Sequence, residues 1–243
     1  MNAPTPFSRI VSGTVLIAII TLLVRAVSFG REMMIANIFG VGAPLDIFLV
    51  AFLAPSFFIF AIAGCAGAAL IPIIMSTRQQ GGEVAVRTLI AGVNGSALVI
   101  FTVIAALIAF FAQYYLPLIA ANMQQQQIAL AHRWIILLSL LIPVYGFAAL
   151  WTAIANSRGL LAIPAAVPVL TPLVSIAMLL WLGARGDAWA LVLGLMLGGA
   201  LELFLLGWLL HRHRLLIRPS VAIRRFGNFE RSLATLFASS ATL

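Results

Sequence analysis

Six stretches of this chain are apolar for long enough to cross a lipid bilayer as helices, and that property excludes almost every fold open to a water-soluble protein. They cover about 10–39, 47–75, 88–112, 134–155, 160–182 and 188–210. Inside a bilayer every backbone N–H and C=O must be satisfied within the protein, so such stretches form helices. The expected class is all-α: a polytopic membrane helix bundle with a six-helix transmembrane lobe over 1-210. A basic cytoplasmic segment follows over 211-231, facing anionic headgroups. The apolar run over 232-243 is too short to span and reads as the start of a truncated seventh helix.

Composition agrees. Hydrophobic residues make up 63% of the 243 and charged residues 8%, which is the range of membrane proteins. All 14 basic residues are Arg, against six acids. The +8 balance follows from topology rather than from nucleic acid binding. With the amino terminus cytoplasmic, Arg9, Arg78, Arg87, Arg158 and the cluster from Arg212 to Arg225 all fall on the inner side. Only Arg133 and Arg185 fall outside. Cys65 is alone, so neither an intrachain disulfide nor a cysteine metal cluster is available. His211 and His213 have no neighbours to complete a metal site, and no cofactor is expected.

Arg25, Arg31 and Glu32 interrupt the first span. A charge near a helix centre costs about 2.5 to 3.5 kcal/mol, while each Leu, Ile, Val or Phe returns only about 0.3 to 0.6 kcal/mol. The eleven such residues between Val11 and Phe29 barely offset two or three charges. Either the arginines snorkel to an interface, or they face a watery cavity. Met33 to Phe39 would be stranded in water by the first arrangement, which favours a longer helix broken near Gly30. On a continuous helix Arg25 and Glu32 share a face, which leaves Arg31 freer to bind an anion.

Other polar residues carry two readings each. Asp46 opens the second span, where it either caps the helix or helps a gate. Glu202 is the only charge between Ala188 and Leu210, and either senses protons or cations in a cavity or makes a structural hydrogen bond. Asn94, Ser96 and Ser139 suit helix contacts. An enzyme finds no parts here: no histidine stands within a span as a base, and no acids pair at metal-ligand spacing.

Arg25, Ser28, Phe29, Gly30, Arg31 and Glu32, followed by Ile38 to Gly42 and by Asp46, Phe48 and Pro55, resemble the MurJ (MviN) family. That family comprises lipid II flippases of bacterial peptidoglycan synthesis, within the wider superfamily of MATE-like and polysaccharide exporters. Asn156 to Gly159, Ile163 to Ala165 and Pro168 are similar to its signature between helices four and five. Gly198, Gly199 and Glu202 are similar to its sixth helix. The resemblance implies an N-lobe that packs against a second lobe around a cavity, in the bacterial cytoplasmic membrane. It also implies that Arg25, Arg31 and Asp46 handle a lipid-linked anionic glycan, the arginines meeting its diphosphate through paired charged hydrogen bonds. Glu32 and Glu202 stand as gating or coupling residues.

The sequence departs from the family along Phe57 to Ala63, which is wholly apolar where an arginine and an acid are usual, and at Pro172, where asparagine is usual. An exopolysaccharide-precursor flippase and a MATE-like antiporter therefore stay open as alternatives. So does an inactive fragment, because the chain has about half the family's length and a second transmembrane lobe is needed to alternate access.

Overall fold

The computed structural model describes residues 6–215, with side chains from residue 14 onward, and every regular element in it is helical. The segments are α1 (Pro6–Phe39), α2 (Ala43–Ile119), α3 (Gln125–Ser139), α4 (Leu141–Ser157), α5 (Ala162–Ala166), α6 (Leu170–Trp181) and α7 (Trp189–Arg212). Most of the expected basic segment and all of the expected seventh-helix start lie outside the described residues.

At 77 residues α2 would be roughly 115 Å long if straight, several times a bilayer's apolar thickness. It doubles back instead. Gly82 leaves the helical region at φ 67° and ψ −164°, a conformation essentially restricted to glycine. Asp46 and Leu49, near the start of α2, share a pocket with Asn122 and Gln127, just beyond its end. Five apolar helical stretches therefore supply six crossings, the second and third both within α2. A Gly82→Ala variant is expected to destabilise the detergent-solubilised protein by about 1 to 3 kcal/mol, read as a lower midpoint of denaturant unfolding.

The other helix breaks follow the prolines. Pro143 cannot donate to the Ser139 carbonyl, and the fourth crossing changes from α3 to α4 at Leu140. Pro164, Pro168 and Pro172 divide the fifth crossing into α5, a 3-10 turn over Val167–Val169, and α6. The break expected near Gly30 is absent, because α1 runs unbroken through it. One glycine costs about 1 kcal/mol in a helix, less than opening backbone hydrogen bonds to lipid.

α2 packs against α3 and α4, α4 against α7, α7 against α6, and α5 and α6 against α1. α1 and α2 share almost no contact, so the helices form an open ring whose two ends face each other. Fully buried large side chains come from α2 (Leu70, Ile74, Ile90), from α3 and α4 (Trp134, Ile135, Ile142), and from α6 and α7 (Leu179, Leu191).

Apolar burial alone does not drive helices together in lipid, so close approach matters more. A Cβ on Gly194 would lie 2.8 Å from the Ser175 Cα, and one on Gly198 would lie 2.7 Å from the Thr171 Cα. Residues four apart stack on one helix face. Gly194, Gly198 and Glu202 therefore form one stripe of α7 that faces α6, and the contact that the glycines permit brings Glu202 to Thr171.

Candidate functional site

A cavity of about 620 Å³ lies between the ends of the open ring. Arg25 and Arg31 reach it from α1, Tyr145 and Asn156 from α4, Thr171 from α6 and Glu202 from α7. The α2 wall is apolar, formed by Phe52, Ile59 and Phe60, and includes part of the run that departs from the family.

Arg25 is exposed and Arg31 is half-buried. Arg31 Nε is buried and, among the described residues, has no hydrogen-bond partner. The Arg31 guanidinium lies within electrostatic reach of Tyr145 and Glu32. Glu202 is only 7% exposed and accepts a hydrogen bond from Thr171 Oγ1 at 3.0 Å. Thr171 Oγ1 in turn lies 3.2 Å from the Tyr145 hydroxyl. Either hydroxyl of that pair can donate; where Glu202 is ionised it only accepts, so Thr171 then commits its proton to Glu202 and Tyr145 donates to Thr171. The site thus joins cations able to hold an anion to a buried acid with a directed hydrogen-bond chain.

The structure brings Arg25, Arg31 and Glu202 together. It does not place Asp46 with them. Asp46 is exposed in the first turn of α2 and lines a separate pocket of about 520 Å³ with Asn122 and Gln127. Glu32 is exposed, is not part of the cavity lining, and makes no ion pair with Arg25 among the described residues. Sequence reasoning missed Tyr145 and Thr171. The nearest signal was the stripe of Gly198 and Glu202, which any hydroxyl on the facing helix would meet.

Beside the Gly82 turn, Glu83 accepts from Arg158 Nη1 at 2.8 Å and Nη2 at 2.7 Å, and pairs with Arg78 Nε at 2.9 Å. This clip ties the hairpin of α2 to the end of α4. The Arg158 hydrogen bonds hold the Glu83 carboxyl below the usual carboxylate range, with Arg158, Arg78 and Arg87 charges adding to the effect. A carboxyl lowered in the folded state contributes fully above its unfolded value, at about pH 5 and higher, and loses that contribution as pH falls through the lowered value. Acidification is therefore expected to cost wild type slightly more stability than Glu83→Gln. The difference in thermal unfolding should be small and should shrink in salt, because the clip is half exposed.

Fold and site define a class: a helical membrane lobe arranged as an open ring around a cavity that carries fixed cations and a buried acid. The chain belongs to the MurJ lipid II flippase family, since the family described as Lipid II flippase MurJ matches residues 35–243. A relative from Vibrio cholerae serotype O1 (strain ATCC 39315 / El Tor Inaba N16961), described as a probable lipid II flippase MurJ, is 27% identical over 232 residues, covering 88% of this chain and 43% of the relative. The solved structure of a lipid II flippase MurJ in an inward closed conformation has a TM-score of 0.76 at 19% identity, covering 93% of this chain and 47% of that one. That likeness is one of fold. The chain spans less than half the length of both.

Proposed function

We propose that this chain is the cation-bearing lobe of a flippase that carries a polyprenyl-diphosphate-linked glycan, lipid II or a close relative, across the bacterial cytoplasmic membrane. The observation that carries this reading is the pair Arg25 and Arg31 in one cavity, with a buried Arg31 Nε–H that has no partner among the described residues. A buried donor without a partner is costly, and a diphosphate oxygen is the acceptor that a guanidinium fork fits best. No bond is made or broken in such transport.

Alternating access needs two repeats around a shared site. A second lobe, facing the open side of the ring, completes the transporter. In this reading the amino terminus is cytoplasmic, the Arg158–Glu83 clip lies on the inner side, and Asp46 acts at the outer end as a gate rather than as a ligand. The buried carboxyl of Glu202 in the same cavity favours one second reading, a cation- or proton-coupled antiporter of the wider superfamily. Transport that survives loss of both arginines but not of Glu202 would select that reading.

The test is complementation of cells depleted of their own flippase, with this chain alone and with a second lobe co-expressed. Rescue that depends on the second lobe is the expected result. No rescue in either arm, with the protein present in the membrane, removes the transport claim.

A further inference from the structure

We propose that Tyr145, Thr171 and Glu202 form a proton-linked relay that turns the Tyr145 hydroxyl from an acceptor into a donor toward a diphosphate held at Arg31. The inference rests on the function proposed above and adds to it a ligand and a means of release.

With Glu202 ionised, every proton in the chain points inward. Tyr145 donates to Thr171 over 3.2 Å and Thr171 donates to Glu202 over 3.0 Å. The single phenol proton is then committed. Toward the cavity, which Tyr145 lines, its oxygen presents only lone pairs. These suit Arg31 and repel phosphate oxygens.

With Glu202 protonated, the same atoms support the opposite order. The carboxylic acid donates to Thr171 Oγ1, Thr171 donates to the Tyr145 oxygen, and the phenol proton is free for the cavity. One proton enters from bulk solution as hydronium reaching the cavity and leaving water behind, two hydroxyls rotate, and no bond between heavy atoms changes. The cavity also loses the one negative charge among its described lining residues. Both effects favour a bound diphosphate, and loss of the proton reverses both.

Geometry keeps the three residues in register. The close approach at Gly194 and Gly198 sets Thr171 against α7, and a Cβ on Gly199 would lie 3.1 Å from both Cζ and Oη of Tyr145, so the phenol is wedged against the same helix. The other titratable groups lining the cavity are Arg25 and Arg31 of α1; α2, α5 and α6 contribute none there among the described residues. α3 meets α7 at its other end, through Trp134 and Trp189.

The test measures binding of farnesyl diphosphate to the detergent-solubilised full chain from mildly acidic to mildly alkaline pH, always as a ratio between variants so that titration of the probe cancels. Glu202→Gln keeps a donor toward Thr171 at every pH. Its affinity should equal that of wild type in acid and exceed it by about tenfold in alkali, the size of one charge-assisted hydrogen bond. Tyr145→Phe should weaken acid binding by about the same factor and leave alkaline binding no weaker than wild type, and it carries the comparison if Glu202→Gln fails to fold. Thr171→Ser should keep the pH response, and Thr171→Val should reduce it. Wild-type binding with ratios constant across pH, or a Tyr145→Phe variant that binds as wild type in acid, overturns the relay alone. A wild-type chain that binds no farnesyl diphosphate at any pH overturns the flippase reading, and the relay with it.

Discussion

An Arg31→Ala variant is expected to lose diphosphate binding by about two orders of magnitude and to fail in complementation while still reaching the membrane. The size follows from the geometry of the group. A fork that places two hydrogen bonds on an anion, each worth about 1.5 to 3 kcal/mol when charged, loses both at once. Arg31 is half-buried, so water replaces those bonds poorly. Arg31→Lys keeps the charge but not the fork, and should fall between alanine and wild type. Arg25 is exposed, and its replacement by alanine should cost nearer tenfold, because solvent screens its pairing. Binding of farnesyl diphosphate by the purified variants decides the matter, and an Arg31→Ala variant that binds as wild type would falsify the assignment.

The second large effect is on folding. Gly198→Ala places a methyl group 2.7 Å from the Thr171 Cα and 3.0 Å from its carbonyl oxygen. The obstacle is backbone and cannot rotate away. Overpacking of this kind costs about 1 to 3 kcal/mol, and Gly198→Leu should leave little folded protein. Either change also separates Thr171 from Glu202, so loss of stability and loss of the pH response should appear together. Gly64 is the control. A Cβ there meets nothing within 4 Å, and Gly64→Ala in its helix should be neutral or stabilising by up to about 1 kcal/mol. If denaturant midpoints of Gly198→Ala and Gly64→Ala coincide, the close contact between α6 and α7 is not holding the lobe together.

Hydropathy was enough to find the crossings, because a bilayer demands uninterrupted apolar length and the chain supplies it six times. Local chemistry placed some breaks and missed others. The prolines at 164, 168 and 172 mark where the fifth crossing divides, whereas Gly30 has the composition of a hinge and none of the behaviour. In the site, Arg25, Arg31 and Glu202 stood out as charges where charge is expensive. Tyr145 and Thr171 did not, since a hydroxyl hardly alters the hydropathy of a span. Their link depends on how α4, α6 and α7 cross, over sequence separations of 26 and 31 residues, and no local pattern records that. Asp46 fell on the other side of the same limit. Its sequence position beside the arginines suggested a shared site, but the hairpin of α2 carries the start of that helix to the 120–124 connection and the first turn of α3 instead.

The gap between α1 and α2 bears on which molecules such a lobe can handle. In the transporter proposed above, a slot left open sideways between this gap and the second lobe would admit a headgroup while its prenyl tail stays among the acyl chains. Only the sugar-diphosphate portion then has to leave water, and the length of the tail meets no wall. Selectivity would fall on the polar end, with short and long prenyl carriers accepted alike.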